Sequence, residues 1–246
     1  MIRPTIALAL AALVLAAAAP AAAAGPVDVD AAVGVHSQYV WRGQIVTAEA
    51  VLQPEVTVGA LGLSFGVWGN VDLTDANGYE TSLAETDWTV GYALSLPLFS
   101  LGAGFIRYDY PSRGPRDTSE LYVGGEAHVP LSPHLWLYRD VDVVEGTYVN
   151  VGGTWERSLG EATALEIAAD LGWGSAGYVR GFFGPDRAGL GDLTLAARLP
   201  WRPLPLLTVT PHVSFATLLG DAKEAVDERG DDTATVFYGV TARVGF

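Results

Sequence analysis

Acidic side chains recur along this chain inside stretches that are otherwise apolar. Glu85 and Asp87 are two apart, Asp140 and Asp142 likewise, and Glu120/Glu126 and Glu166/Asp170 keep an even spacing. Carboxylates at even spacing share one face of an extended strand. Collected inside a curved sheet, they would line a wet, cation-attracting surface, because charges left dry and unpaired are costly. Two other constellations are chemically suggestive. His212-Val213-Ser214 sets a base and a hydroxyl on the same strand face. A working nucleophile also needs an orienting third group, which this stretch does not supply. Asp75-Ala76-Asn77-Gly78 carries a fragment of calcium-loop spacing but lacks the first Asp and the twelfth-position Glu. Asn-Gly reads more simply as a hairpin turn. No enzyme, metal or cofactor is expected from these residues.

The carboxylates need strands to hold them. Twelve alternating segments run over 28–41, 51–58, 61–72, 85–96, 100–110, 117–129, 133–142, 146–158, 163–173, 188–199, 206–217 and 234–246. The last is the clearest: Val236, Tyr238, Val240, Ala242, Val244 and Phe246 alternate with Phe237, Gly239, Thr241, Arg243 and Gly245. Most segments suit a tilted membrane strand of about 9–11 residues. Their connections alternate between short turns, as at Gly59-Ala60, and longer polar stretches at 42–50, 73–84, 111–116, 174–187 and 218–233. Residues 143–145 are a short connection in a long-loop slot. This rhythm predicts an all-β transmembrane up-and-down barrel of about twelve antiparallel strands, with both termini periplasmic.

Strand phase then sorts the side chains. One face collects Leu63, Phe65 and Val67; Trp88, Val90, Tyr92 and Leu94; and Val209, Val213 and Phe215. The other face carries the charge: Asp28, Asp30, Glu55, Glu85, Asp87, Glu120, Glu126, Asp140, Asp142, Glu156, Glu166, Asp170 and Asp192, with Arg198 and Arg243. Arg42 follows the first segment and points inward near the outer rim. It is read either as a constriction residue or as a loop anchor on a carboxylate such as Glu49 or Asp87. Three arginines cannot neutralise thirteen acids, so the phase implies a narrow, wet, acidic lumen that favours cations. The alternative is a polar interior that does not conduct.

Some positions resist the pattern. The phase of Leu101, Ala103 and Phe105 sends Arg107 and Asp109 outward, which a bulge or an early exit from the membrane could relieve. Arg139 has the same difficulty and could snorkel to the rim. Pro54 and Pro211 each remove a ladder donor inside a strand. Trp41, Trp88 and Trp173 fall near outer strand ends and Phe99, Trp201 and Phe246 near inner ends, as aromatic girdles would. The acidic run of Asp221, Glu224, Asp227, Glu228, Asp231 and Asp232 reads as a solvated outer loop.

Composition bounds the rest. The 246 residues include no cysteine and carry a formal charge of −14, so nucleic acid is an unsuitable partner. Residues 1–24 read as a cleaved secretory signal: Arg3, an apolar run from Ile6 to Ala19, then Ala22-x-Ala24. That leaves residues 25–246 for the barrel, in the outer membrane. No other apolar run reaches the ~18 residues of a spanning helix.

Several motifs occur in an order that resembles the TorF-type porin family of Gram-negative bacteria. They are Ser37-Gln38-Tyr39-Val40-Trp41-Arg42-Gly43, Gly66-Val67-Trp68-Gly69-Asn70-Val71-Asp72, the acidic strand from Glu85 to Tyr92, Tyr108-Asp109-Tyr110-Pro111, and Glu120-Leu121-Tyr122-Val123-Gly124. Tyr138-x-Asp140 with Gly146-Thr147-Tyr148 fits as well. Gly69 departs, where the family's pattern has Ser or Ala. The resemblance implies an outer-membrane barrel and suggests a channel for small solutes. Terminal Phe246 resembles the signal read by the barrel-assembly machinery. Lipid and lipopolysaccharide are the expected surroundings, and a monomer the expected state.

Overall fold

The computed structural model describes residues 27–75, 78, 82–112 and 117–246. The predicted signal segment, residues 1–24, and two residues of the Asp75–Gly78 turn lie outside the described residues. What is visible of that turn fits a tight reversal: the Gly78 amide donates to the Asp75 carbonyl at 2.7 Å.

Twelve antiparallel strands follow one another around a closed barrel. They are β1 (Val27–His36), β2 (Val51–Ala60), β3 (Leu63–Asp72), β4 (Leu83–Ser95), β5 (Phe99–Asp109), β6 (Thr118–Ala127), β7 (His134–Asp140), β8 (Thr147–Ser158), β9 (Ala164–Gly174), β10 (Gly189–Arg198), β11 (Leu207–Leu218) and β12 (Ala234–Gly245). Closure is made by β1 against β12, from Asp30↔Gly245 to His36↔Gly239. The predicted all-β antiparallel barrel and its count of twelve strands are therefore observed. A short strand, Trp201–Leu204, adds to β11 beside the barrel wall.

Alternation dictates the two faces. On β12, Val236, Tyr238 and Val240 are 62 %, 64 % and 46 % exposed, although all are large and apolar. Phe65, Trp88, Val90, Val123, Ile167 and Val213 are likewise exposed on the outside of their strands. A continuous apolar exterior of this kind suits lipid and would be an aggregation hazard in water. No helix of the described residues is long and apolar enough to cross a membrane, so crossing would fall to the strands.

Turn chemistry sets the register. Leu61 and Gly62 both take positive φ, 53° and 87°, the two-residue type I′ geometry that matches strand twist. The turn thus falls two residues after the expected Gly59-Ala60, because Gly62 supplies the conformation that Ala60 cannot. Pro54 sits inside β2 as its sequence position demanded; the β2–β3 ladder skips from Leu52↔Val71 to Glu55↔Trp68, and the Gln53 side chain bonds Asn70 Oδ1 at 3.0 Å in that gap. Pro211 is tolerated in β11 opposite Val240.

The first segment departs from expectation. It ends at His36 rather than running to residue 41, and the chain turns inward. Tyr39–Trp41 then pairs with Gln44–Thr47 in a separate hairpin. Two further stretches read as loops contain helices: α1 (Ala176–Phe182) and α2 (Gly220–Asp227). Ser175 caps α1 by accepting from the Tyr178 amide at 3.3 Å. The acidic 218–233 stretch is thus partly helical, with Ala222 and Leu218 buried in a cluster with Tyr148, Tyr178, Val179 and Phe183.

Candidate functional site

The lumen is built in two levels. At the loop end, the Tyr39–Thr47 hairpin folds into the barrel instead of standing above it. Its tip, Arg42-Gly43, takes φ of 47° and 77°, another type I′ turn. A Cβ on Gly43 would stand 2.5 Å from the Asp192 Cβ and 3.0 Å from Leu218 Cδ2, so the tip touches the β10–β11 wall. On the opposite side Arg42 donates Nη1 and Nη2 to the two Glu120 oxygens on β6, at 2.8 and 2.7 Å. The hairpin therefore crosses the lumen.

Arg42 is enclosed by rings. Its guanidinium carbon lies 4.2 Å from the Tyr148 ring centre, 4.4 Å from Trp41 and 4.7 Å from Tyr138. Aromatic faces attract such a cation most strongly where water is excluded. The Arg42 and Glu120 side chains are only 8 % and 2 % exposed. Burial penalises the Arg42 charge, but the oxygens of Tyr178 and Glu120 outweigh that penalty and hold its pKa above the ordinary arginine value. Tyr108 adds a third bond to Glu120 at 2.9 Å. Helix α1 closes the cage from above: Tyr178 packs on Tyr148 and Phe182 on Trp41, with ring centres 5.2 and 5.3 Å apart. Arg42 is thus an anchor, as one reading of the sequence held, but its partner is Glu120 rather than Glu49 or Asp87. Trp41 turns inward and does not belong to a girdle.

Two neighbouring acids, Asp192 and Asp140, are occupied too. Asp192 accepts from the Tyr148 hydroxyl at 3.1 Å. Asp140 accepts from Thr118 Oγ1 at 2.6 Å and from the amides of Asp142, Val144 and Glu145 at 3.0–3.1 Å. That explains the short 143–145 connection: one buried carboxylate ties off the whole turn. Glu85 is buried on β4, and Asp87 lies inward beside it, opposite Tyr108 of β5.

Asp142 is a correction. It lies past the end of β7, on the outside of the rim, paired with Arg107 at 3.2 Å. Arg107 also reaches Asp109 at 2.9 Å and Asp117 at 3.3 Å. The β4–β5 and β5–β6 registers run through Arg107 without a bulge. The outward charge is answered by ion pairing at the rim, not by a bulge.

The end that holds the termini is different. Glu126 and Glu156 are exposed, and Glu166, Asp170, Arg198 and Glu55 are half-exposed. Glu156 and Glu166 face each other across the β8–β9 ladder; like charges so placed need water between them and bulk. Arg243 bridges Asp30 and Glu55, the latter at 3.0 Å. His134 bonds Asp170 at 2.9 Å. Ser214, His212 and His36 form a hydrogen-bonded row, with His212 3.2 Å from Ser214 and 3.0 Å from His36. His36 is 176 residues from His212 in the chain, so only strand order could have announced it. The row faces the lumen, as the phase required. These side chains border a cavity of about 510 Å³.

Aromatic rings cover two glycine patches of the inner wall. A Cβ on Gly104 would meet the Tyr122 hydroxyl at 2.5 Å, and one on Gly124 would meet the Trp136 ring at 2.5 Å. The rings lie across bare backbone, the aromatic-on-glycine device that supports curved sheets.

Fold and lumen together define a closed twelve-stranded antiparallel barrel whose loop end is filled and whose other end is lined by acids. A family described as a bacterial protein of unknown function (Gcw_chp) matches residues 20–135. No curated protein matches the chain. Among solved structures, the KdgM porin in complex with disordered oligogalacturonate is similar at a TM-score of 0.51 and 12 % identity, covering 89 % of this chain and 99 % of that one. The NanC porin in its rhombohedral crystal form gives 0.51 and 12 %, covering 88 % and 98 %. Both share the fold.

Proposed function

We propose that the protein is an outer-membrane channel for passive diffusion of small solutes, with a preference for cations. The observation that carries this reading is the unfilled, acid-rich lumen at the termini end of a closed barrel with an apolar exterior. Glu126, Glu156, Glu166 and Asp170 supply more negative charge there than Arg198 and Arg202 offset, since Arg243 is already shared by Asp30 and Glu55. Fixed negative charge in a narrow wet passage concentrates cations. The two similar porins and the TorF-type resemblance support the same class. In this reading the termini face the periplasm, the long loops face lipopolysaccharide, and the barrel-assembly machinery reads Phe246. The barrel works as a monomer and without a cofactor.

One observation favours a second reading, a barrel that does not conduct: the hairpin and α1 occupy the loop-end lumen. Planar-bilayer recording of the refolded protein separates the two. Cation-selective steps whose reversal potential moves toward zero in Glu126→Gln and Glu156→Gln support the channel. Silence, with heat-modifiable gel mobility intact, supports the closed barrel. Lipid hydrolysis lost in Ser214→Ala would replace both with an enzyme.

A further inference from the structure

Arg198 on β10 and Glu166 on β9 are directly opposite in the ladder, yet they do not pair. Among the described residues neither makes an ion pair within 4 Å or a side-chain hydrogen bond, whereas the other two inward arginines, Arg42 and Arg243, are both engaged by acids. Opposite charges at such a position ordinarily attract. Here both remain available, and both border the 510 Å³ cavity. The same cavity presents Arg243, already held by Asp30 and Glu55, the hydroxyls of Thr194 and Thr210 and the ring of Phe237. Its size lies in the range of small-molecule sites, and its lining combines separated charges, neutral polar groups and one apolar surface.

A solute that fits carries its own anion and cation on neighbouring atoms. We propose that this cavity is a subsite for zwitterionic α-amino acids, with the carboxylate on Arg198, the ammonium on Glu166 and the side chain along Phe237. A guanidinium fork matches a carboxylate with two parallel bonds, and charge-assisted bonds are the stronger kind. A second argument comes from the surrounding charge. A free anion would be repelled by the acidic lumen, but a zwitterion has no net charge and meets no such barrier. Glu156, opposite Glu166, deepens the negative side of the site. This inference names a solute class for the proposed channel, but the subsite can exist whether or not the barrel conducts.

The test is isothermal titration of the refolded full-length protein in detergent micelles with three probes. Glutamine keeps both charges, N-acetylglutamine lacks the ammonium, and glutaminamide lacks the carboxylate. Glutamine is expected to bind about tenfold or more tighter than either blocked form. Arg198→Gln should erase its advantage over glutaminamide, and Glu166→Gln its advantage over N-acetylglutamine. Arg180→Gln, on α1 at the loop end and paired with Asp186, should change neither. Equal binding of the three probes overturns the proposal, as does a preference that survives both substitutions in protein with native heat-modifiable mobility. A silent bilayer with this binding pattern intact would remove the channel and leave the subsite. Steady conductance without the pattern would do the reverse.

Discussion

The two ends of the lumen start from the same raw material, inward carboxylates on alternating strands, and use it in opposite ways. At the loop end Glu120, Asp140 and Asp192 are buried, and each is consumed by partners: Arg42 and Tyr108, Thr118 and three turn amides, and Tyr148. At the termini end Glu126, Glu156 and Glu166 stay in contact with water. The difference is what fills the barrel. A twelve-stranded ring is wider than the eight-stranded ones that side chains can fill. Here the loop end is filled by chain, the Tyr39–Thr47 hairpin and α1, and the other end is left open. Charge that is structural at one level is free to act on solutes at the other.

The largest expected effect follows from breaking the filled half. Arg42→Gln leaves the Glu120 carboxylate buried with no cation, and Glu120→Gln leaves the Arg42 charge buried with no anion. Removing one partner of a buried pair costs about 3–5 kcal/mol, and a two-stranded hairpin is at best marginally stable by itself. Both variants should release the hairpin, seen as new protease cleavage near Arg42 or Gly43 and as larger unitary conductance in bilayers. The double variant Arg42→Gln/Glu120→Gln should recover part of the loss, because no charge is then stranded. A hairpin that stays protected in both single variants would refute the anchoring role.

A smaller effect separates two acids that strand phase treats alike. Asp140→Asn should destabilise the 141–145 turn by about 1–3 kcal/mol, since one carboxylate serves three amides, with no change in ion selectivity. Glu156→Gln should do the opposite, shifting reversal potential and leaving the thermal transition in place. Equal selectivity changes in the two variants would merge the halves that the structure separates. Gly43→Ala belongs between them. It adds a Cβ at φ of 77° against Asp192, and the left-handed strain alone costs about 1–2 kcal/mol.

Strand number, faces and most boundaries were legible because period-two alternation is local: a phase set by Val90 and Tyr92 places Asp87 without knowledge of the rest of the chain. The filled half was less legible because its contacts are long-range. Arg42 and Glu120 are 78 residues apart, and no spacing rule links them. Signals for the hairpin were nonetheless present. Arg42-Gly43 between Tyr39-Val40-Trp41 and Gln44-Ile45-Val46-Thr47 is a two-residue turn with Gly in second place. Ser175 before Ala176, with Tyr178 and Phe182 four apart, was a capped helical turn with one aromatic stripe. Asp142 was misplaced because phase was extended past Asp140, where the strand ends.

Arg107 gives the smallest effect and the sharpest contrast with Arg42. It touches three acids, Asp109, Asp117 and Asp142, against one for Arg42. A count of contacts would rank it the more important arginine. Its side chain is 36 % exposed, however, and its partners are 39 %, 42 % and 48 % exposed. Water and salt screen such pairs, and holding long side chains in one geometry has an entropic cost. Arg107→Gln should therefore change stability by no more than about 1 kcal/mol, with unitary conductance and selectivity unchanged, because the cluster lies outside the wall. Any residual stabilisation should fade as ionic strength rises, whereas the Arg42–Glu120 contribution, shielded from solvent, should persist. Thermal melts of both variants in low and high salt would decide it: parallel salt responses would mean that burial does not distinguish the two arginines.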